Sequence, residues 1–326
     1  MRCENCHAFS GDILHCTLQV VWGIPCPTEQ TGPCSRDFSG YSADFGGHRA
    51  KSRATWDRYR RLARCHLVTK QRPAPQLRRE FRVIEQPLLR QLSIRGGISR
   101  EEVEFLRSAF AGTREIPHDR EFIREGDLPQ ASTVLLSGFA ARSKELANGK
   151  RQFLTIHVKG DFVDLHSFLL KKMDHGVVAL TPCTIGLVPH EKLKEITERF
   201  PSLTRQLWLS TTIDAAIHRE WLVSFGRRSS RANVAHLLCE LYMRLWAAEE
   251  TDGFRFRLPI TQGELADARG MSIVHMNRAI KALREQGLIS WLGEEVMIRD
   301  WDGLVSLAEF DPTYLQLEGL GRPSQQ

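Results

Sequence analysis

Residues 258–299 decide the fold of the C-terminal part of the chain and read LPITQGELADARGMSIVHMNRAIKALREQGLISWLGEEVMIR. Thr261 and Glu264 form a capping box, so the sequence predicts that a helix begins here. Gly270 permits a sharp turn out of that helix, and Ser272 caps a second helix. Two short helices joined by a tight turn are a helix-turn-helix, and its second helix can lie in the major groove of DNA. Residues 288–292 and 295–299 flank Gly293 and predict a β-hairpin, or wing.

The second helix, predicted over residues 272–286, has two unlike faces. An inward apolar stripe recurs at helical spacing and consists of Met276, Ala279, Ile280 and Leu283. Residues 268–284 contain Arg269, Arg278, Lys281 and Arg284 and no acidic residue, so we predict a positive surface here. We predict DNA contacts from the exposed positions of this helix, namely Ser272, Ile273, Val274, His275, Asn277, Arg278 and Lys281.

Upstream, residues 202–225 predict a long helix that is apolar on two faces. One face carries Leu203, Leu207, Ile217 and Trp221, and the other carries Leu209, Ile213, Ala216 and Val223. A helix that is apolar on two sides must bury both of them. We expect one face to pack on the same chain and the other on a second copy, and we assign Leu203, Leu207, Ile217 and Trp221 to dimerisation. Residues 190–199 and 227–247 predict two more helices.

Residues 97–200 show the sequence pattern of a β domain. Ser99 and Glu102 form another capping box, which predicts a short helix. Asn148-Gly149 is a strong hairpin signal. Many short strands with glycine-rich turns predict an antiparallel barrel, roll or sandwich, which makes the fold class α+β. The strand-like runs are 121–124, 133–136, 140–144, 151–158, 162–165, 177–180 and 184–188.

The N-terminal third differs from the rest of the chain. Residues 1–97 hold 16 of the 45 basic and 8 of the 39 acidic residues, so residues 98–326 are slightly acidic. Residues 1–85 show no lasting apolar period, so we expect either a disordered extension or a stretch upstream of the true start codon. Six of the 8 cysteines lie here: Cys3, Cys6, Cys16, Cys26, Cys34 and Cys65.

Composition excludes several classes of protein. The chain of 326 residues is 42% hydrophobic and 26% charged, unlike collagenous, coiled-coil or wholly disordered proteins. No window approaches ~18 consecutive apolar residues, so we expect no membrane-spanning helix and no membrane partner. Glu4 and Asp12 precede the short apolar patch at 18–24, which is unlike a secretory signal, and we expect a cytoplasmic protein.

The stretch ITQGELADARGMSIVHMNRAIKALREQGLI closely resembles the DNA-binding signature of the Crp/Fnr family of bacterial transcription regulators. A looser resemblance runs through FIREGD at 122–127, LLSGFA at 135–140 and KGDF at 159–162. The resemblance covers residues from about 97 to 310. It implies a cyclic-nucleotide-binding-like β-roll sensor (97–200), a dimerisation helix (201–226), a winged helix-turn-helix (227–310) and a C-terminal tail (311–326). It also implies a homodimer that binds double-stranded DNA, with RNA polymerase as a further candidate partner.

The resemblance also assigns contacts within the helix-turn-helix. The family's recognition contacts fall on Ile273, Val274 and Arg278, and Arg278 is the best candidate for a bidentate contact with guanine. Well-known members have an acidic residue where Val274 stands, so the operator should differ at that base pair. Thr261 and Gln262 are candidates for phosphate contacts through backbone N–H groups and side chains.

The sensor half departs from members that bind a cyclic nucleotide. Asp174 stands near the position where those members place an Arg for the cyclic phosphate, so we predict no cyclic-nucleotide binding and leave the effector unidentified. Some members carry an iron–sulfur cluster on N-terminal cysteines, and Cys183 could complete such a set. The cysteine spacing departs from theirs, so we predict no cofactor and keep the cluster as a secondary option.

Metal-binding residue types also occur in this half. Asp164, His166, Asp174 and His175 could bind a metal or perform acid–base chemistry. Because nothing supplies a third ligand at a recognised spacing, we interpret them as a solvated face or loop, with no metal site and no catalytic residue. The alternative function is a small-molecule- or metal-binding β-roll protein, possibly an enzyme, in which the helical pair is only a packing module.

Overall fold

The computed structural model describes residues 86–317 and Leu320. The predicted extension of residues 1–85, with its cysteines, lies outside the described residues. In chain order the elements are α1 (Gln86–Gly96), α2 (Arg100–Ala109), β1 (Gly112–Ile116), β2 (Glu121–Ile123), β3 (Ala131–Ser137), β4 (Ala140–Glu145), β5 (Arg151–His157), α3 (Ser167–Leu170), β6 (Gly176–Ala179), β7 (Cys183–Pro189), α4 (His190–Arg199), α5 (Pro201–Gly226), α6 (Ser230–Ala247), β8 (Thr251–Asp252), β9 (Arg255–Arg257), α7 (Gln262–Arg269), α8 (Ile273–Glu285), β10 (Ile289–Leu292), β11 (Glu295–Ile298), α9 (Trp301–Ala308) and a 3-10 helix (Pro312–Leu315).

The first half is an antiparallel β-roll made of two sheets. One sheet has the strand order β1-β7-β3 and the other has the order β2-β6-β4-β5. The β4–β5 hairpin turns at the predicted Asn148-Gly149, where the Leu146 N–H donates to the Lys150 carbonyl at 2.9 Å. The antiparallel prediction is confirmed. Two details of it were wrong: β1 was missed, and residues 162–165 contribute only an isolated bridge, Val134 to Phe162.

Helices close one end of the roll. The predicted capping box of α2 is confirmed, because the Ser99 side chain accepts from the Glu102 N–H while the Glu102 carboxylate accepts from the Ser99 N–H. Helix α1, which the sequence analysis did not predict, buries Leu88 and Leu92 in the same core as Leu106. The described part of the chain therefore begins with a helix that belongs to the roll.

Helix α5 runs from the roll to the C-terminal domain. Its first turns bury Leu203 and Leu207 against the helices of the roll, and its later turns bury Ile217 and Trp221 in the core of the C-terminal domain. All these side chains are no more than 7% exposed. The assignment of Leu203, Leu207, Ile217 and Trp221 to dimerisation was therefore wrong, because this face of the helix is already covered by its own chain.

The C-terminal domain is built on α6, most of whose side chains are buried. Helices α7, α8 and α9 and a small sheet of order β10-β11-β9-β8 surround it. The predicted wing is confirmed as β10 and β11, and it is extended by two short strands that the sequence analysis missed. Part of the predicted C-terminal tail is structured. Leu315 and Leu317 are buried, and the 3-10 helix packs on α5 and α6. None of the described helices is long and apolar enough to cross a membrane.

The α1 helix can be tested through its buried leucine. Leu92 is fully buried, so we expect Leu92→Ala to lower the free energy of unfolding by about 2–5 kcal/mol because it leaves a cavity. Leu128, which is 65% exposed, is the matched control, and its replacement by Ala should change stability by less than about 0.5 kcal/mol. Urea denaturation of both variants measures the difference, and equal stability of the two would contradict the packing of α1.

Candidate nucleic-acid interface

The helix-turn-helix forms as its local sequence dictates. At the start of α7 the Thr261 side chain accepts from the Glu264 N–H, which completes the predicted capping box. Gly270 ends this helix with φ at +60°, a left-handed conformation that favours glycine. Ser272 caps α8 by accepting from the His275 N–H at 3.3 Å. The turn and the caps predicted from sequence are all confirmed.

Helix α8 divides into an inner and an outer face as predicted. The inner stripe is buried and consists of Met276, Ala279, Ile280 and Leu283. Ile273 is 55% exposed and Val274 is 56% exposed, so two large apolar side chains stand together at the surface. The remaining residues predicted to contact DNA are also exposed: Ser272, His275, Asn277, Arg278 and Lys281. The structure therefore gathers this predicted set on one free helical surface.

The positive charge of this surface is smaller than predicted. Arg278 and Arg284 are exposed, whereas Lys281 lies 3.6 Å from the Glu285 carboxylate. Arg269 is only 1% exposed and contributes nothing to the surface. Its guanidinium lies 4.7 Å from the Trp221 ring centre and donates to the Asn233 side chain. Burial lowers the pKa of Arg269 to about 10, so this residue is part of the core.

The proposed phosphate contacts at the start of α7 need a correction. The Thr261 N–H donates to the Glu264 carboxylate at 2.8 Å, and the Thr261 hydroxyl donates to the same oxygen at 2.7 Å. Thr261 is therefore occupied by the capping box, and the Glu264 carboxylate beside it repels anions. Gln262 is exposed at the first position of the helix and stays the candidate for a phosphate contact.

Side chains of the roll hold α7 in place. Arg151 lies 3.1 Å from the Asp267 carboxylate, and the Gln152 amide donates to the Asp267 carbonyl at 2.7 Å. A Cβ on Gly270 would lie 3.8 Å from the Phe225 ring, so the end of α5 also packs at the turn. The β4–β5 hairpin, α5 and the helix-turn-helix therefore meet at one junction.

The outer face of α5 carries a stripe that no described residue covers. Exposed positions alternate at spacings of four and three residues along Trp208, Thr212, Ala215, Arg219, Leu222 and Gly226. Trp208 is 72% exposed and Leu222 is 67% exposed. Alternating spacings of three and four are the heptad pattern of a helix that packs along another helix. The sequence analysis missed this stripe because it scored hydrophobicity alone, and the stripe includes Thr212, Arg219 and Gly226.

A cavity of about 320 Å³ lies between the roll and helices α1, α5 and α6. Two ion pairs stand in its wall, one between Arg142 and Asp214 and one between Arg244 and Asp161. The wall also includes an Arg, an Asp and several histidines outside these pairs, namely Arg95, His157, His166, Asp174, His175 and His218. The sequence analysis missed Arg142, Asp214 and His218, because they come from strands and helices far apart in the chain.

The imidazoles of this cavity are neutral at pH 7. Burial lowers the pKa of His157 to about 4, and burial together with nearby Arg142 lowers the pKa of His166 to about 4. Burial also lowers the pKa values of His175 and His218.

The residues singled out near the cavity have separate environments. Asp164 is buried beneath the roll, where its carboxylate accepts from the Thr133 N–H at 2.5 Å and where burial raises its pKa to about 7. His166 instead stands at the N-cap position of the short helix α3, and its side chain makes no capping hydrogen bond. Cys183 is buried, and its thiol donates to the Phe139 carbonyl at 3.1 Å, as expected of a core residue.

Comparison with known families identifies both halves of the described structure. Residues 113–200 match the cyclic nucleotide-binding domain family, and residues 232–307 match the Crp-like helix-turn-helix domain family. The chain belongs to the Crp/Fnr family of transcription regulators. Its C-terminal module is the DNA-binding helix-turn-helix of that family.

Individual relatives agree with this assignment. The Crp/Fnr regulator is 25% identical over 215 residues to the transcriptional activator protein FnrL of Cereibacter sphaeroides, a match that covers 65% of this chain and 83% of FnrL. It is 23% identical over 209 residues to the transcriptional activator protein anr of Pseudomonas aeruginosa, covering 64% and 85% of the two chains. The structure of FixK2 from Bradyrhizobium japonicum superposes with a TM-score of 0.56 at 22% identity, covering 60% and 96%, which shows the shared fold.

Arg278 and Lys281, two neighbouring cations on α8, should contact different parts of the DNA. We expect Arg278→Ala to cost about 1–3 kcal/mol of binding free energy on the preferred duplex and to relax the preference at one base pair. Lys281→Ala should weaken binding to all duplexes alike and reduce the slope of log affinity against log salt by about 1. Fluorescence anisotropy on preferred and scrambled duplexes measures both effects. An equal loss on both duplexes for Arg278→Ala would refute its role as a base contact.

Proposed function

We propose that this Crp/Fnr regulator binds a near-palindromic operator in double-stranded DNA as a homodimer, with α8 of each protomer in the major groove. The observation that carries the proposal is the free outer face of α8, where Ile273 and Val274 are exposed beside Arg278. Ile273 and Val274 keep more than half of their surface exposed, so most of their apolar area is open to a partner. In a major groove they can pack on base edges and thymine methyl groups.

The exposed outer stripe of α5 supports the proposed dimer. Trp208, Ala215 and Leu222 stand seven residues apart on one exposed line, so a second α5 packed alongside would cover them. If a two-fold axis relates the two α5 helices, the two α8 helices would reach half-sites about one helical turn of DNA apart, or ~34–36 Å.

The relatives FnrL and anr are transcriptional activators, and we propose that this chain regulates transcription without a catalytic step. RNA polymerase stays a candidate partner, and a regulator that acts on bacterial DNA works in the cytoplasm.

The effector is the part of the proposal that departs from the family's cyclic nucleotide. A cyclic phosphate needs an unpaired cation and several donors. In the cavity Arg142 is already neutralised by Asp214, and Arg244 by Asp161. The Asp174 carboxylate adds a negative charge to the same wall. Arg95 on α1 also lies in this wall, but Asp174 stands near the position where members that bind a cyclic nucleotide place their Arg. This departure supports an effector other than a cyclic nucleotide.

The dimer can be tested with one charged substitution. Leu222→Glu places a carboxylate within the apolar part of the α5 stripe, so we expect a monomer and a loss of operator affinity of at least about tenfold. Leu128→Glu is the matched control, because Leu128 is equally exposed and lies in a turn of the roll far along the chain. Light scattering after gel filtration gives the mass. A dimeric Leu222→Glu protein would contradict the α5 interface.

The base specificity of α8 can be tested by introducing a hydrogen-bond acceptor at position 274. Val274 offers no acceptor, whereas a carboxylate accepts from the exocyclic amine of cytosine. We expect Val274→Glu to move the preference at one symmetric pair of positions toward a C·G base pair, with the other positions unchanged. Binding-site selection on the variant and the wild type measures this change. An unchanged preference would remove Val274 from the set of base-reading residues.

A further inference from the structure

Three metal-ligand side chains converge in the wall of the cavity. His166, Asp174 and His175 each offer a ligand atom, and these atoms lie within 4.8 Å of one another. We propose that they form a binding site for a divalent first-row transition metal, and that this metal is the effector of the regulator. The second part of this statement rests on the proposed function, whereas the first part does not. The sequence-based argument against a metal was the lack of a third ligand, and the fold supplies that ligand.

The hydrogen bonds around the cluster leave ring nitrogens unused. The Nδ1 atom of His175 lies 2.7 Å from the Asp174 carboxylate, and its Nε2 atom is buried without a partner. The Nε2 atom of His166 is also buried without a partner. A buried polar nitrogen without a hydrogen bond costs about 1–3 kcal/mol, so two of them side by side need an explanation.

The local backbone explains how these residues meet. His166 lies at the start of α3, and the chain turns back within a few residues so that Asp174 and His175 directly precede β6. The His166 and His175 rings lie 5.1 Å apart between centres. Metal–ligand bonds of about 2.0–2.2 Å require ligand atoms roughly 3.3 Å apart in a tetrahedron. The cluster must therefore contract by rotation of side chains, and Asp174, with its side chain 71% exposed, has room to move.

The donor set determines the class of metal. Two imidazoles and one carboxylate suit Zn²⁺, Fe²⁺, Co²⁺ or Ni²⁺, whereas Mg²⁺ and Ca²⁺ prefer oxygen ligands alone. Arg142 and Arg244 are paired with Asp214 and Asp161, and the Asp174 carboxylate, within the cluster itself, would face a bound dication. His218, on α5, lines the same cavity, and its Nε2 atom is likewise buried without a partner.

The position of the cluster makes it suited to regulation. Helix α5 contributes His218 and Asp214 to the cavity on its inner side and carries the dimer stripe on its outer side. Contraction of the cluster around a metal would move the start of α3 and the start of β6, which line the same cavity as the inner side of α5. A ligand shifts a conformational equilibrium by its difference in affinity for the two states. The metal-bound state would therefore favour one arrangement of α5 and its partner.

The binding test uses the full chain with Co²⁺ as the probe. Free thiols can bind Co²⁺, so the background replaces the N-terminal cysteines at positions 3, 6, 16, 26, 34 and 65 by Ser. We expect this protein to bind Co²⁺ with weak visible absorption bands and no thiolate-to-metal band. His166→Ala/His175→Ala should bind one equivalent fewer. Equal stoichiometry and spectra in the two proteins would overturn the proposal.

A second variant separates the loss of a metal ligand from a loss of metal binding caused by misfolding. Asp174→Asn changes an exposed side chain, so the fold should be kept, and we expect Co²⁺ affinity to fall by about 10–100-fold. His118→Ala is the matched control, because the His118 side chain is 54% exposed and lies outside the cavity. This control should bind Co²⁺ like the parent protein. Unchanged affinity in Asp174→Asn would refute the three-residue site.

The effector role is tested separately with DNA. We expect Zn²⁺ or Co²⁺ to change operator affinity by at least about fivefold in the parent protein and not in Asp174→Asn. Operator binding that is specific but indifferent to metal would refute the effector role and leave the proposed function intact. Metal binding without any specific DNA binding would refute the proposed function and leave the metal site intact.

Discussion

The buried guanidinium of Arg244 is the constraint that the rest of the structure depends on. Arg244 lies on α6, donates to Asp161 in the roll at 2.5 Å and lies 3.5 Å from Glu240 on its own helix. Burial alone would lower its pKa, but Asp161 and Glu240 raise it. A buried charge that loses its partner costs about 3–5 kcal/mol, so the roll and the DNA-binding domain are held in contact by this group.

The same polar network organises the elements around it. Glu240 is fully buried and accepts from the Trp221 indole of α5 at 3.2 Å and from the Tyr314 hydroxyl at 2.8 Å. One carboxylate therefore joins α5, α6 and the end of the chain, and it fixes which side of α5 faces inward. The outer stripe of α5 stays exposed as a direct consequence. Because Asp161 and Arg244 also line the cavity, a ligand there acts on the network that positions the helix-turn-helix.

Sequence patterns predicted the parts of the fold that depend on local interactions. The capping boxes at Ser99 and Thr261, the turn at Gly270 and the hairpin at Asn148-Gly149 are each determined within about four residues, and the structure contains all of them. The periodic stripe of α8 was equally local. The inward face of α5 could not be predicted, because both faces are apolar and only tertiary packing decides between them. The burial of Arg269 could not be predicted for the same reason, since it depends on Trp221 and Asn233, which lie far from Arg269 in the chain.

Two copies of α8 that read a symmetric site in DNA are the centre of the proposed function. The most direct measurement is selection from a random pool of double-stranded DNA with the purified full-length protein, followed by sequencing. The account predicts a two-fold-symmetric motif with half-sites about 10 base pairs apart and a conserved guanine in each half. Binding that is only salt-sensitive and independent of sequence, with and without added Zn²⁺, would contradict it.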